Sequence, residues 1–305
     1  MPPRLRIIGD LINNAYGRAR RAWKGRDLAA YQKLACLQVE AGAEFLDLNL
    51  DATQTLQVKR EEMLDFLPEV IPAIQEVARV PLCFDNPRVD YHRVALEHYD
   101  PSIGGPPIIN SLAASRERLD EMIELIGHYE TRVIVMASER FVDGGTAQCF
   151  SPRDAHDAAR QFVDTLHTKV GCGSERIIID TGLPPVGADT YGLVNLGLDA
   201  MRLFRQDPDL AGVHLSVGLT NFSWGIPQEI RAPLEHAYLT LATEVGLDMA
   251  LANPEKNPHP LPPDDPLVSE LREALESGRP RDGESQEDAG YRQAESILAI
   301  FSNDE

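Results

Sequence analysis

The sequence of 305 residues has little of what marks several large protein classes. It has only four cysteines, Cys36, Cys83, Cys149 and Cys172, and no Cys-x-x-Cys motif. Neither a disulfide scaffold nor a zinc knuckle is therefore predicted. Its apolar runs are too short to span a bilayer, and the start MPPRLRIIGD has no apolar segment typical of a signal peptide. These absences favour a cytoplasmic protein with reduced thiols.

Positive charge is also scarce. The chain has 29 Lys and Arg against 48 Asp and Glu, which gives a formal net charge of −19 at pH 7. Binding to nucleic acid or to an anionic membrane surface is therefore not expected. The exception is a basic run, Arg18, Arg20, Arg21, Lys24 and Arg26. Such a run usually forms a solvated helix face, and the alternative is that it receives an acidic ligand or partner.

Short runs rich in β-branched residues alternate with longer segments of helical periodicity. The predicted strands are Leu5–Gly9, Glu44–Leu50, Val80–Asp85, Pro107–Asn110, Arg132–Ala137, Arg176–Asp180, Val213–Gly218 and Asp248–Ala252. Strand–helix alternation predicts a parallel sheet, because each parallel pairing needs a crossover. Eight such units in about 280 residues match an α/β protein of the (β/α)8 TIM-barrel type. The alternative is an open doubly wound sheet, but no G-x-G-x-x-G motif follows the first strand.

The alternation ends near the carboxyl terminus. The proline-rich segment NPEKNPHPLPPDDP indicates an extended connector, and Leu267–Leu275 is predicted to be the eighth helix. We expect a barrel domain over residues 1–277. Residues 278–305 are predicted to form a polar tail that contains one short apolar helix, AESILAIF.

Nearly every predicted strand ends in Asp or Asn. The candidate site residues are Asp10, Asn13, Asp47, Asn49, Asp85, Asn110, Asp180 and Asn221. Any one of them could simply be a helix cap or a turn residue. Together, at the carboxyl ends of barrel strands, they suit a flat ligand that is rich in hydrogen-bond donors and acceptors. No nucleophile for covalent catalysis stands out, and no cluster with metal-ligand spacing is visible, so no bound metal is expected.

These strand ends carry a resemblance to a known family. IIGDLIN, GAEFLDLNLDA, VPLCFDNP, PIINS, IIIDTGLPPVGAD and VGLTNFSWGIP resemble motifs of the pterin-binding methyltransferases. More narrowly, the chain is similar to methyltetrahydrofolate:corrinoid/iron–sulfur protein methyltransferases and to the folate domain of cobalamin-dependent methionine synthase. GLTNFSWGIP is close to that family's GLSNVSFGLP. The dihydropteroate synthases share the barrel, but their Asp-Ser-Phe-Ser-Asp-Gly-Gly loop is absent after the first strand.

The resemblance implies a role for each matching position. Asp85, Asn110 and Asp180 would hold the pterin, and Asn221 would hydrogen-bond N5, the folate atom that carries the methyl group. The remaining strand-end residues would line the same substrate site. The nucleophile would be the cobalt of a corrinoid (cobalamin) carried by a partner protein, with tetrahydrofolate or methyltetrahydrofolate as the substrate. The family is dimeric, so a homodimer is expected.

Several positions depart from the family pattern. Asp10 stands where the family has Glu, one carbon longer, Asn86 replaces Ser, and Asp51 replaces Gly. The loop SERFVDGGTAQCFSP, after the fifth strand, has no counterpart.

Three functions follow as hypotheses. The first is methyl transfer, in either direction, between N5 of tetrahydrofolate and a protein-bound corrinoid. The second is a dihydropteroate-synthase-like activity, and the third is a pterin-binding subunit without catalysis. On the first hypothesis the basic run would bind the glutamate tail of folate or an acidic corrinoid protein. For Asn221, the alternative to a contact with N5 is that it caps the helix after the seventh strand.

Overall fold

The computed structural model describes residues 4–300, and β-branched runs form strands where the sequence predicts them. The strands are β1 (Arg6–Asn13), β2 (Phe45–Asn49), β3 (Leu82–Asp85), β4 (Ile108–Leu112), β5 (Arg132–Met136), β6 (Glu139–Val142), β7 (Gly145–Gln148), β8 (Ile177–Asp180), β9 (His214–Ser216) and β10 (Met249–Ala252). Eight of them form one parallel sheet in the order β10-β1-β2-β3-β4-β5-β8-β9. The backbone N–H of Leu251 donates to the carbonyl of Val217 at 2.9 Å, which links β10 to the segment that follows β9. The sheet therefore curls into a barrel, and the predicted fold class is confirmed.

Helices surround the barrel. They are α1 (Gly17–Gly25), α2 (Leu28–Glu40), α3 (Arg60–Val77), α4 (Val89–Glu97), α5 (Pro101–Gly104), α6 (Leu119–His128), α7 (Pro152–Val170), α8 (Leu193–Gln206), α9 (Leu219–Phe222), α10 (Gln228–Glu244), α11 (Pro266–Ser277) and α12 (Gln286–Ile300). Two of the caps follow from the sequence. Asp27 accepts a hydrogen bond from the backbone of Ala30 at 3.0 Å, and Ser151 accepts one from Asp154 at 3.0 Å.

The apolar floor of the barrel lies between its two ends. Its buried members come from seven strands: Ile8, Phe45, Cys83, Ile108, Ile134, Ile178 and Met249. Below the floor, the guanidinium groups of Arg6 and Arg132 lie over the Phe45 ring, 4.6 and 5.6 Å from its centroid. The amino-terminal end of the barrel is thus filled, and a ligand is expected at the carboxyl ends of the strands, where barrels of this kind carry their sites.

Two segments contain more regular secondary structure than the sequence predicts. The unmatched loop after β5 contains the antiparallel hairpin β6–β7. The carboxyl-terminal helix α12 begins at Gln286, well before the predicted apolar segment, of which Phe301 lies outside the described residues. Gln293 of α12 is buried, and its side chain accepts a hydrogen bond from Asn195 of α8 at 3.4 Å.

Within residues 4–300, no helix is both long enough and apolar enough to cross a membrane.

Candidate functional site at the barrel mouth

Polar side chains occupy the layer above the apolar floor. Alternate residues of a strand point to the same face, so the next inward position lies two residues beyond each floor residue. On five strands that position is Asp10, Asp47, Asp85, Asn110 or Asp180. We call these five residues the mouth layer. The structure thus brings together five of the eight predicted site residues.

The strands that carry Asp10 and Asn110 are irregular at those residues. The pairing of β1 with β2 shifts register between Gly9 and Ile12, and that of β4 with β5 shifts between Asn110 and Leu112. Such irregularities redirect side chains and are common beside binding sites. They also extend β1 to Asn13, so Asp10 lies within the strand and not after it.

Asp10 joins two loops of the mouth. Its Oδ2 atom accepts hydrogen bonds from the Tyr16 hydroxyl and the Thr220 hydroxyl, both at 2.8 Å. Its Oδ1 atom is buried and has no hydrogen-bond partner among residues 4–300. Burial raises the pKa of Asp10, and the two hydroxyl groups oppose this rise. One carboxyl oxygen is therefore left for a ligand.

Asp47 is the most deeply buried member of the mouth layer. It is 1% exposed, and neither carboxyl oxygen has a well-formed hydrogen bond within the described part of the chain. Burial raises its pKa well above the usual value, and the charges of Asp85 and Asp10 add to this effect. The Cys83 thiol and the Asn110 amide oppose it. Asp47 thus favours its protonated form, or needs donors from a ligand.

Asp85 and Asn110 lie side by side, because they are register partners in β3 and β4. Asp85 Oδ2 accepts a hydrogen bond from the Asn49 amide at 2.8 Å. Burial raises the pKa of Asp85, while this hydrogen bond and the Arg116 guanidinium lower it. Arg116 is held by Ser111, whose carbonyl and hydroxyl oxygens accept from it at 3.0 and 3.1 Å.

Asp180 lies on β8, which is separated from β4 by only one strand, β5, in the strand order. Its Oδ1 accepts from the Gly182 backbone at 2.8 Å, and its Oδ2 accepts from the Ser216 hydroxyl at 2.9 Å. Burial raises the pKa of Asp180 to about 6, against these two hydrogen bonds. Each carboxyl oxygen retains a lone pair, so two adjacent acceptors can face a ligand.

Two of the predicted asparagines also shape turns. Asn13 Oδ1 accepts from the Ala15 backbone at 2.8 Å, and Asn49 Oδ1 accepts from the Asp51 backbone at 3.0 Å. Asn49 in addition orients Asp85, whereas the side chain of Asn13 has no link to the mouth layer among the described residues.

Asn221 is the third residue of the short helix α9, directly after β9. Its side chain is exposed and makes no hydrogen bond to any of residues 4–300, and neither α9 nor α10 has a side-chain cap. The capping alternative is therefore wrong. The turn after α9 is held by buried Glu235 of α10. The Ser223 hydroxyl donates to the Glu235 carboxylate, and the Lys256 ammonium lies 3.4 Å from the same carboxylate.

The sequence analysis missed four residues of this site: Tyr16, Arg116, Ser216 and Thr220. Thr220 stands inside the motif around Asn221, and Ser216 comes directly before that motif in the predicted strand, so their hydroxyl groups were visible signals. Arg116 had no such signal. Its neighbour Ser115 looks like a helix cap, but the hydroxyl of Ser115 donates to Glu139 of the β6–β7 hairpin at 2.9 Å, and α6 begins only at Leu119.

Carboxylates dominate the electrostatics of the mouth. Four aspartates with raised pKa values share it with the guanidinium of Arg116, whose charge lowers the pKa of Asp85. Within the described residues, no group of three His, Cys, Asp or Glu side chains is arranged to hold a metal ion. The arrangement offers acceptors in one layer, which suits a planar heterocycle that carries several N–H donors.

Comparisons with known proteins bear on this site. The family model described as pterin binding enzyme matches residues 18–253. A methylcorrinoid:tetrahydrofolate methyltransferase from Eubacterium limosum is 22% identical over 250 residues, which are 81% of this chain and 84% of that protein. Methionine synthase from Mycobacterium leprae (strain TN) is 24% identical over 268 residues, which are 83% of this chain but only 20% of that much longer protein.

Solved structures are similar in fold. The 7,8-dihydropteroate synthase from Vibrio fischeri ES114 has a TM-score of 0.61 at 18% identity, over 90% of this chain and 95% of that one. At this identity the likeness concerns the fold alone.

Proposed function

Because the chain belongs to the pterin binding enzymes, we propose that it transfers a methyl group between N5 of tetrahydrofolate and the cobalt of a corrinoid carried by a partner protein. The observation that carries this proposal is the side-chain amide of Asn221, which has no hydrogen-bond partner within residues 4–300 and follows Thr220, whose hydroxyl donates to Asp10 of the mouth layer. The names of the relatives from Eubacterium limosum and Mycobacterium leprae support it.

The mouth layer is suited to hold the pterin. N3–H and the 2-amino group of a pterin are adjacent donors, and they match the two oxygens of a carboxylate. Asp180 is our candidate for this contact, because each of its oxygens keeps a lone pair and most of it is ionised at pH 7. Asp85 and Asn110, on the neighbouring strands β3 and β4, would contact another edge of the ring, with Asp10 and Asp47 as further acceptors.

Asn221 would act on the reacting atom. When the methyl group leaves N5, electron density builds on that nitrogen. A donor aimed at N5 therefore stabilises the transition state more than the ground state, and only such a difference raises the chemical rate. Asn221 does this without holding a proton. Because its side chain is exposed, solvent can exchange a proton with N5 at the same place.

The mouth layer consists of four aspartates and one asparagine, none of which is a serine, cysteine or lysine nucleophile. Cys83 lies in the floor beneath the aspartates, and burial raises its pKa well above the usual value, so its thiol stays protonated. The methyl acceptor or donor would thus come from outside, through the open mouth, as the corrinoid of a partner protein. We expect the enzyme to act in the cytoplasm and as a homodimer.

Mixing the protein with methyltetrahydrofolate and free cob(I)alamin tests this proposal, since the ultraviolet–visible spectrum reports formation of methylcobalamin. The reverse reaction starts from methylcobalamin and tetrahydrofolate. We expect turnover in at least one direction. Condensation of a pterin pyrophosphate with p-aminobenzoate would instead indicate a dihydropteroate-synthase-like enzyme. Folate binding with no turnover in either assay would indicate a non-catalytic subunit.

A further inference from the structure

Two guanidinium groups converge at the first turn of α1. A β-carbon placed on Gly17 would lie 3.5 Å from Nη1 of Arg21 and 4.0 Å from Nη2 of Arg20. Two like charges thus lie within a few ångströms of one point, in a chain whose net charge is −19. Such a pair repels itself unless an anion lies between its members.

The described residues supply no such anion. Arg20 donates to the neutral hydroxyl of Thr55 at 2.8 Å, and Arg21 makes no hydrogen bond or ion pair within residues 4–300. Their neighbours in the basic run differ, because Arg18 pairs with Glu255 and Arg26 lies 3.9 Å from Glu69.

The backbone adds to the attraction for an anion at this point. The nine-residue helix α1 has no acidic residue in its first turn and no side-chain cap at Tyr16. The free amides of a helix amino terminus carry partial positive charge, and those of α1 belong to the turn that begins at Gly17.

This turn lies beside the mouth layer. The Tyr16 hydroxyl, next to Gly17, donates to Asp10. Arg18 reaches Glu255 in the loop after β10, and Arg20 reaches Thr55 in the loop after β2. The first turn of α1 therefore stands over strands β10, β1 and β2.

The direction of the folate tail follows from the orientation of the pterin ring, and this step rests on the proposed function. With N3 at Asp180 on β8 and N5 at Asn221 after β9, the order of atoms around the pterin continues to C6. The strands continue in the same sense from β9 to β10 and β1. The substituent on C6, which carries p-aminobenzoate and glutamate, would then leave over β10 and β1, toward the first turn of α1.

We propose that Arg20, Arg21 and the first turn of α1 bind the carboxylates of an oligo-γ-glutamate tail, so that the preferred substrate is a polyglutamylated folate. Guanidinium groups bind carboxylates through paired, charge-assisted hydrogen bonds. Each added glutamate places one more carboxylate within reach of this cluster.

The test compares three ligands: 6-methyltetrahydropterin, which has no tail, and methyltetrahydrofolate with one or three glutamates. Dissociation constants are measured for the wild type and for the double variant Arg20→Gln/Arg21→Gln. The control is Lys33→Gln/Arg79→Gln, which removes the same charge from two exposed residues without ion pairs within residues 4–300. Melting temperatures establish that the variants fold.

We expect the wild type and the control to bind the triglutamate about tenfold more tightly than the monoglutamate, as one or two charge-assisted contacts would give. The double variant should lose this preference and keep its affinity for 6-methyltetrahydropterin. Added salt should reduce the preference in the wild type.

Three results would overturn the proposal. One is equal affinity of the wild type for the monoglutamate and the triglutamate, and another is an unchanged preference in the double variant. In the third, the double variant binds every folate normally and transfers methyl groups at the normal rate with free cob(I)alamin, but slowly with a corrinoid protein. The cluster would then bind the partner protein and not the folate tail. If the wild type bound none of the three ligands, the proposed function itself would fail.

Discussion

The two ends of the barrel differ in how their buried or partly buried carboxylates are paired. At the amino-terminal end, Asp248 Oδ2 lies 2.7 Å from His214 Nδ1, and its Oδ1 accepts from the Leu215 backbone at 2.8 Å, with the Arg205 guanidinium 3.6 Å away. At the mouth, Asp47 has no well-formed hydrogen bond among the described residues, and Asp10 has one orphaned oxygen.

This difference distinguishes carboxylates that stabilise the fold from carboxylates that are available to a ligand. A buried carboxylate with partners is compensated, whereas one without partners costs free energy of folding. The mouth layer keeps two carboxylates with unpaired oxygens, Asp10 and Asp47, on the adjacent strands β1 and β2, and their raised pKa values reflect that cost. Unpaired acceptors of this kind are useful where a ligand supplies the missing donors.

The largest expected effect comes from Asn221→Ala. We expect methyl transfer in a single turnover to slow by about 10²–10³, as when one preorganised donor is lost, while folate affinity changes little. The melting temperature should not change, because the side chain is exposed and bonds to none of residues 4–300.

Asn253→Ala is the matched control for Asn221→Ala, since Asn253 Oδ1 accepts from the Glu255 backbone at 2.9 Å as a cap. It should cost about 1 kcal/mol of stability and leave transfer intact. Normal single-turnover kinetics in Asn221→Ala would refute the catalytic role.

Asp180→Ala should weaken folate binding by about 10- to 100-fold, the value of one or two hydrogen bonds to a charged group. The protein should stay folded, because removing a buried carboxyl with a raised pKa relieves a cost. Titration with methyltetrahydrofolate measures the effect. Asp248→Ala, at the other end, should leave affinity unchanged and lower the free energy of unfolding. Equal losses of affinity in both variants would contradict the assignment.

Folate affinity should depend on pH through Asp180. Its pKa is about 6 in the folded protein, and the pterin donors favour the ionised carboxylate. Affinity should therefore be full above about pH 6 and fall by up to about tenfold for each unit below it. The Asp180→Asn variant should bind more weakly and show a flatter profile. A pH profile shared by wild type and variant would exclude Asp180 as its source.

The smallest expected effect is a pair of stability changes of opposite sign. Asp47→Asn should raise the free energy of unfolding at pH 7 by about 1 kcal/mol, since it removes a carboxyl whose pKa is raised by burial. Because the folded state holds that proton more tightly than the unfolded state, the gain should shrink as the pH falls toward 4. Asp248→Asn should lower the same quantity by about 1 kcal/mol through its lost hydrogen bonds. Urea denaturation at pH 7 and near pH 4 measures the change in the free energy of unfolding for both variants. A change in the same direction in both would refute the contrast between the two ends of the barrel.

Much of the fold was predictable, because it depends on local pattern. Runs such as RIIID and RVIVM are strands in the structure, and Asp27 and Ser151 cap helices where the sequence places them. The β6–β7 hairpin and most of α12 were not predicted. Both are polar segments with little periodicity, and α12 is held in part by distant partners such as Asn195.

The candidate site divides in the same way. The local sequence pattern identifies Asp10, Asp47, Asp85, Asn110 and Asp180 as strand-end residues, and the two-residue period of a strand directs them into one layer. The groups that surround them depend on the tertiary structure. The hydrogen bond from Thr220 to Asp10 and the effect of the Arg116 charge on Asp85 depend on register shifts, loop paths and side-chain directions. Those features arise from packing between segments that lie far apart in the chain, and no local pattern encodes them.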